Sequence, residues 1–453
     1  MKPTLHIWWD ERHLGVIEHT PRDDRWSLSY DPAWAADPAA FPLAPALPLN
    51  AGEAGAGSAS IKRFIEHLLP EGRALDVASQ INGLAKSNSF GLIRALGAET
   101  AGALRFTAED RLVCGAAVRR ELPLQELNER IGARAQTPFS VWDGQVRMSI
   151  AGLQDKLLVY LDRPLDEGGR LFLVDGGRSG GRLASTHLLK PDAEDPRTPH
   201  LVVNEHYCMS LARRMGLPAA EVTLLRTPRP VLLVRRFDRQ VVDADPNPHI
   251  QRKHIVDACQ ACDLPVSFKY ERHLGNAPEL RQHRDGMSFE RLFGCAALSG
   301  NKAVTRLTLL RWALFQFLCG NSDAHGKNFT FFVRPGGLLE PAPWYDLVSV
   351  LQYQGFDTEL AMAFGDVFVH AELTPYALAD FAHRCGIARQ LLQREGLRLS
   401  KLASTAAAQQ QLAPDYQGEE IAFTGRIAHF VQAQARRLAE LVTAAVKVRA
   451  EDL

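Results

Sequence analysis

Short apolar runs separated by turns fill the first half of the chain, and apolar positions at helical spacing fill the second. Leu5-His6-Ile7-Trp8-Trp9 and Gly15-Val16-Ile17-Glu18 flank a charged turn, which predicts a hairpin. The small-residue run Ala51–Ser60 reads as a mobile loop. Ile61–Leu69 has helical spacing, with Ser60 as N-cap and Pro70 beyond its end. Helices are expected over 74–84 and 88–97, and a short strand over Ala101–Arg105. Residues 106–140 are polar and mixed, so a boundary is placed near 135–140.

From 145 to 240 the texture changes. Val146–Ile150, Lys156–Leu161, Leu171–Val174, His187–Lys190, Val222–Leu225 and Val231–Arg235 predict a mainly antiparallel sheet. One helix interrupts it, Val202–Met215, closed by Gly216. From 254 the pattern is mostly helical except around 328–345, and Ile421–Val448 forms a long amphipathic helix. An α+β chain with a β-rich part before 254 and a helical part after it is expected.

Composition narrows the class. Among 453 residues, 46% are apolar and 23% charged, which excludes a wholly disordered chain. Lys+Arg (52) equals Asp+Glu (52), so bulk charge does not drive this protein onto DNA or anionic lipid. Seven thinly spread cysteines do not make a disulfide framework and suit a reducing compartment. The start becomes charged too soon for a signal peptide, and no apolar stretch approaches the ~20 residues that span a bilayer. The expectation is a cytoplasmic protein without membrane association.

The richest segment chemically is Phe315–Val333 (FQFLCGNSDAHGKNFTFFV). An apolar helix ends at Gly320, a polar loop follows, and a strand begins at Phe329. Asp323 and Asn328 stand at the D-x-x-x-x-N spacing of a kinase catalytic loop, where the Asp takes the substrate hydroxyl proton and the Asn holds a metal. A hairpin, Phe329–Val333 and Leu338-Leu339 about Pro335-Gly336-Gly337, then leads to Asp346. In kinases an Asp at this place binds the metal that bridges the phosphates. A turn or capping network would account for either carboxylate alone. A D-x-H metal hydrolase would want further His ligands beside His325, and none stands at a supporting spacing.

A nucleotide grip is sought upstream. Lys190 closes an apolar strand and can present an ammonium to phosphate, and Glu205 on the following helix can pair with it, against the plainer reading of a surface lysine and a solvated glutamate. Met148–Lys156 lies between two expected strands, and its small residues let backbone N–H groups approach an anion, although a plain β-turn would have the same composition. Cys259-Gln260-Ala261-Cys262 has no second C-x-x-C to complete a zinc site, and both cysteines read as buried structural residues on a helix.

Together these stretches resemble the HipA-like serine/threonine kinases, the toxins of HipBA-type toxin–antitoxin modules. The matching segments are MSIAGLQDKLLVY (148–160), THLLKPD (186–192), NEHYCMSLARRMGL (204–217), VRRFDR (234–239), DACQACDLPVSFKYE (257–271), GNSDAHGKNF (320–329) and PWYDLVS (343–349). They occur in family order over nearly the whole chain. The resemblance implies a two-lobed protein-kinase-like fold, with a β-rich N-lobe over 139–253, an α-helical C-lobe over 254–453 and a small N-terminal α/β subdomain over 1–138.

The resemblance also implies roles. Asp323 would be the catalytic base, and Asn328 and Asp346 would hold Mg²⁺. Lys190 would contact ATP phosphates, and Ala151, Gly152, Leu153, Gln154, Asp155 and Lys156 would form the phosphate loop. Arg235 and Phe237 would lie at the adenine hinge, where some members carry an acidic residue in place of Arg235. His325 and Lys327 would lie near the nucleotide. Ser149 would be autophosphorylated, expelling the loop and silencing the enzyme. The implied protein substrate is an aminoacyl-tRNA synthetase, glutamyl-tRNA synthetase foremost. The implied partner is a small helix-turn-helix, HipB-like antitoxin that carries the DNA contact. The competing readings are a catalytically silent corepressor that docks an antitoxin, and a small-molecule kinase.

Overall fold

The structure is a computed structural model that describes residues 2–50, 52, 55–112, 118–147, 154–175, 182–243, 248–356 and 358–453. Contacts divide the chain into two compact units. The first comprises 1–191, 225–256 and 332–338; the second comprises 192–224, 257–331 and 339–453.

The first unit begins with the expected hairpin, Thr4–Trp9 against Arg12–Thr20, antiparallel with a bulge at Ile7/Trp8. Arg25–Tyr30 adds a strand on one side and Arg105–Thr107 on the other. The second of these displaces the strand expected at 101–105, because the segment pairs through Arg105 and Phe106. Leu5 and Ile7, with Ile17 opposite Leu5, are fully buried at the period-two spacing of a half-covered sheet, and Leu14 is buried at the bulge. Three helices follow at Ser58–His67, Gly72–Asn82 and Ser89–Leu96. The first starts two residues before the expected cap: Gly57, not Ser60, is the N-cap, so Ser58–Ser60 belong to a helix rather than to a loop.

The expected antiparallel sheet forms without its first expected strand, since Val146 pairs with Val141 in a separate hairpin and 148–150 lie outside the described residues, while Arg119–Glu121 joins its edge; the order is Val222–Arg226, Pro230–Arg235, His187–Pro191, Leu157–Leu161, Leu171–Val174, Arg119–Glu121. Its core gathers Leu157, Val159, Leu171, Leu173, Leu189, Val231 and Leu233 with Leu127, Ile131, Phe139 and Trp142. The innermost strands read as near-continuous apolar runs because both faces are covered.

The second unit is mainly helical. Leu201–Arg214, Lys302–Cys319, Pro375–Arg384, Arg389–Gln411 and Glu419–Ala445 are its main helices. Close approach needs small residues: a Cβ on Gly396 would lie 2.7 Å from a Val442 methyl. The last helix matches the expected amphipathic segment, fraying three residues earlier than Val448. The region after 254 holds more strand than its composition suggests, because Glu359–Phe364 and Val367–Val369 form a buried hairpin. Among the described residues no helix is long and apolar enough to cross a membrane.

Candidate active site

The loop that follows Lys302–Cys319 is built by its helix end. Gly320 turns left-handed at φ 68° and the Asn321 N–H donates to the Gln316 carbonyl at 3.0 Å, which closes the helix and ejects the chain. A side chain at Gly320 would collide with Phe430, with a Cβ at 2.6 Å from the ring.

Asn321 then organises the loop. Its buried amide NH₂ donates to Gln316 Oε1 at 2.9 Å and to the Asp346 carbonyl at 3.3 Å. Its Oδ1 accepts the Asp323 N–H at 3.2 Å. One side chain therefore holds together the two acidic segments, which are 23 residues apart in the sequence. Asn328 adds a second tie: its Nδ2 donates to the Asp323 carbonyl at 3.0 Å. That bond settles the amide's orientation and leaves its oxygen end as the acceptor. Asp346 sits at φ 53°, a left-handed conformation uncommon outside glycine and concentrated at functional sites. Neighbouring backbone bonds hold it there, Trp344 N–H to the Pro218 carbonyl at 2.7 Å and Ala220 N–H to the Trp344 carbonyl at 2.8 Å.

The Asp323 carboxylate is exposed, and Oδ1 accepts the Tyr270 hydroxyl at 2.6 Å. Tyr270 is itself placed by the loop: the Gly326 N–H donates to the Lys269 carbonyl at 2.9 Å, and the His325 ring stands edge-on to Tyr270 at 5.1 Å. The next residue, Glu271, is buried and accepts from the Ala363 N–H and the Arg284 guanidinium. Lys327 is buried and pairs with Asp257 at 3.5 Å. Its carbonyl accepts the Tyr345 hydroxyl at 2.6 Å. Gly326 has no room for a side chain, since a Cβ there would lie 2.7 Å from Cys259 Sγ and from Met287.

The structure thus brings Asp323, His325, Lys327, Asn328 and Asp346 together in the second unit. Glu205 is buried on a helix of that unit. Lys190 belongs to the first unit, buried in the strand His187–Pro191, opposite Leu232 on the neighbouring strand. Gln154 Nε2 donates to the Pro191 carbonyl at 3.3 Å, Asp155 pairs with Arg134 at 3.8 Å, and Lys156 is buried. Ser149, Ala151, Gly152 and Leu153 lie outside the described residues.

The segment 235–239 divides its work. Arg235 is exposed and Phe237 packs edge-on to Phe332 at 5.9 Å. Arg236, Asp238 and Arg239 are buried with Glu99 in an ionic hub. Asp238 accepts from Arg236 at 2.7 Å, from Arg239 at 2.9 Å and from the Gly102 N–H at 2.7 Å. Burial pushes its carboxyl up, but the two guanidiniums outweigh burial and hold it far below the ordinary value. Burial lowers Arg239 to about 9.

Sequence reasoning overlooked Tyr270, Asn321 and Asp257. Asn321 had a signal, its place just past a helix-ending glycine; nothing in the sequence ties Tyr270 or Asp257 to a loop more than fifty residues away.

The chain matches the family model of the HipA-like C-terminal domain over residues 148–410 and that of the HipA N-terminal domain over 5–107. It is 36% identical to the serine/threonine-protein kinase toxin HipA of Shewanella oneidensis over 94% of this chain and 93% of that one. It is 33% identical to Y4mE of Sinorhizobium fredii over 96% and 97% of the two chains. A solved chain from the Shewanella oneidensis MR-1 toxin–antitoxin complex of HipA, HipB and operator DNA superposes with a TM-score of 0.87 at 34% identity, covering 98% of this chain and all of that one. A kinase-like fold, two family domains in order and a loop that assembles the acidic pair converge: the chain belongs to the HipA family of serine/threonine protein kinases.

Proposed function

We propose that this protein is an ATP- and Mg²⁺-dependent toxin kinase that phosphorylates an aminoacyl-tRNA synthetase, glutamyl-tRNA synthetase foremost, and silences itself through phosphate on Ser149. The observation that supports this most is the Asn321 tie between the Asp323 and Asp346 segments. It holds the segment of a proton acceptor against the segment of a cation ligand, and phosphoryl transfer is mostly positioning and charge neutralisation.

Each residue has a task in this reading. Asp323 takes the proton from the substrate hydroxyl while that oxygen bonds to the γ-phosphorus and the bond to the β–γ bridging oxygen breaks. Tyr270 fixes Asp323 Oδ1, which leaves Oδ2 to meet the substrate. The Asn328 amide oxygen and the Asp346 carboxylate are hard oxygen donors, and two protein oxygens with the rest of the shell from phosphate and water suit Mg²⁺. Bound there, the ion would neutralise phosphate charge. In this reading Lys190 and residues 151–156 serve the phosphates, Arg235 and Phe237 the adenine, and His325 and Lys327 the nucleotide. The domains read as 1–138, 139–253 and 254–453. The partner is a HipB-like helix-turn-helix antitoxin that carries most of the DNA contact, and the protein works in the cytoplasm. The Shewanella structure, a complex with HipB and operator DNA, supports the partner.

Intact-mass analysis after incubation with Mg²⁺-ATP, beside Asp323→Ala, tests this reading. A single added phosphate on Ser149, absent from the variant, is expected. No gain in protein that binds ATP by calorimetry removes the Ser149 assignment. No nucleotide binding favours the silent corepressor instead.

A further inference from the structure

The C-x-x-C segment takes no part in the site, and its two thiols do not pair with each other. Cys259 is buried under Gly326, whereas Cys262, at the C-cap of the short helix Ala258–Ala261, is partly accessible and meets Cys295 with Sγ···Sγ at 3.5 Å. Cys295 opens the turn Cys295–Leu298, and the Arg291 carbonyl lies 3.7 Å from each sulfur, an alternative acceptor for a thiol proton. Among the described residues no group of three His, Cys, Asp or Glu side chains could hold a metal, so these sulfurs are not a metal set.

We propose that Cys262 and Cys295 are a redox modification site, closed to a disulfide by a peroxide-class oxidant. The sulfurs already touch, and forming the bond needs a further approach to about 2.05 Å. The two thiols are not equivalent. The hydrogen bond from Cys295, with the Arg291 guanidinium, holds Cys262 below the ordinary thiol value; the same hydrogen bond and burial push Cys295 well above it. Cys262 is therefore the attacking sulfur. Its thiolate takes one peroxide oxygen, giving a sulfenic acid and hydroxide. The Cys295 sulfur then displaces that oxygen as water. Overall two thiols lose two electrons and two protons, and one peroxide becomes two waters. Among the other described cysteines the chemistry is disfavoured: Cys208 and Cys319 are fully buried, and burial raises Cys208, Cys259 and Cys385.

The bridge reports on the catalytic loop. Asp257 caps the Cys259–Cys262 turn and pairs with Lys327. A link closing a separation of 33 residues ties that turn down and, by restricting the unfolded chain, raises the thermal midpoint by several degrees.

The test is full-chain protein treated with hydrogen peroxide, alkylated, and mapped without reduction. Expected are loss of two hydrogens in intact mass, a peptide joining Cys262 to Cys295, a raised midpoint, and reversal of all three by dithiothreitol. In Cys295→Ser, dimedone should trap a sulfenic acid at Cys262; in Cys262→Ser, neither bridge nor adduct should form at Cys295. A chain that stays reduced, a bridge between Cys208 and Cys319 instead, or a dimedone adduct at Cys295 in Cys262→Ser would each overturn the proposal. Should a variant fail to fold, the wild-type map alone decides.

Discussion

Two aspartates of this chain, each in a short polar segment beside an apolar run, are put to opposite use. Asp238, in Arg235-Arg236-Phe237-Asp238-Arg239, is buried and accepts hydrogen bonds from two guanidiniums and a backbone N–H. Asp323, in Asn321-Ser322-Asp323-Ala324-His325, is exposed, with one hydroxyl on one oxygen. Both oxygens of the first accept, and its charge is balanced by fixed cations within the first unit. The second keeps an oxygen for a substrate proton. Satisfaction marks a structural carboxylate, and deliberate incompleteness marks a reactive one.

Substitution should separate the two. Asp323→Ala is expected to lower phosphoryl transfer by about 10³-fold or more while leaving the thermal midpoint nearly unchanged, because the side chain is exposed. Calorimetry beside the transfer assay checks both halves, and a large loss of stability would break the comparison. Asp238→Ala should do the reverse. It leaves the buried Arg236 and Arg239 with Glu99 as their shared carboxylate, a loss of about 3–5 kcal/mol read as a lowered urea midpoint.

Acid should act on the first unit in the same direction. Asp238 and Glu99 are both held below their ordinary values: burial raises each, and the surrounding guanidiniums prevail. Their stabilisation is present above the unfolded carboxyl range and is lost as pH falls through the folded values. His254, buried against Phe41 with Nε2 donating to the Leu43 carbonyl, is lowered by burial to about 4. The unfolded chain takes up the proton that the folded one refuses, so stability declines as pH falls from 6.5 towards 4, by about 3 kcal/mol at the end. Urea midpoints across this window should lose that slope in His254→Gln. The smallest effect is expected at Tyr270→Phe, which keeps the ring against His325. A kcat about tenfold lower with an unchanged KM for ATP would show that the hydroxyl positions Asp323. An unchanged kcat would reduce the contact to packing.

The acidic loop was legible because its residues are contiguous and its boundaries are written in local chemistry, an apolar helix, Gly320, then a strand. The hub was not. Arg236 and Arg239 are indistinguishable by type from the exposed Arg235 between two apolar runs, and only burial tells them apart. The thiol contact was hidden for the same reason: the sequence places Cys259 and Cys262 on one helix as structural residues, and only folding brings Cys262 to Cys295.

The sequence by itself determined the alternation of strands and helices, the helix ends closed by Gly216 and Gly320 and the order of the family's motifs, because turn chemistry and periodicity act over a few neighbours. Only the tertiary structure decided which aspartate is satisfied and which is open, which amide joins Asp323 to Asp346, and which thiols touch. Those are properties of distance and burial between segments 20 to 140 residues apart, and no local pattern encodes them.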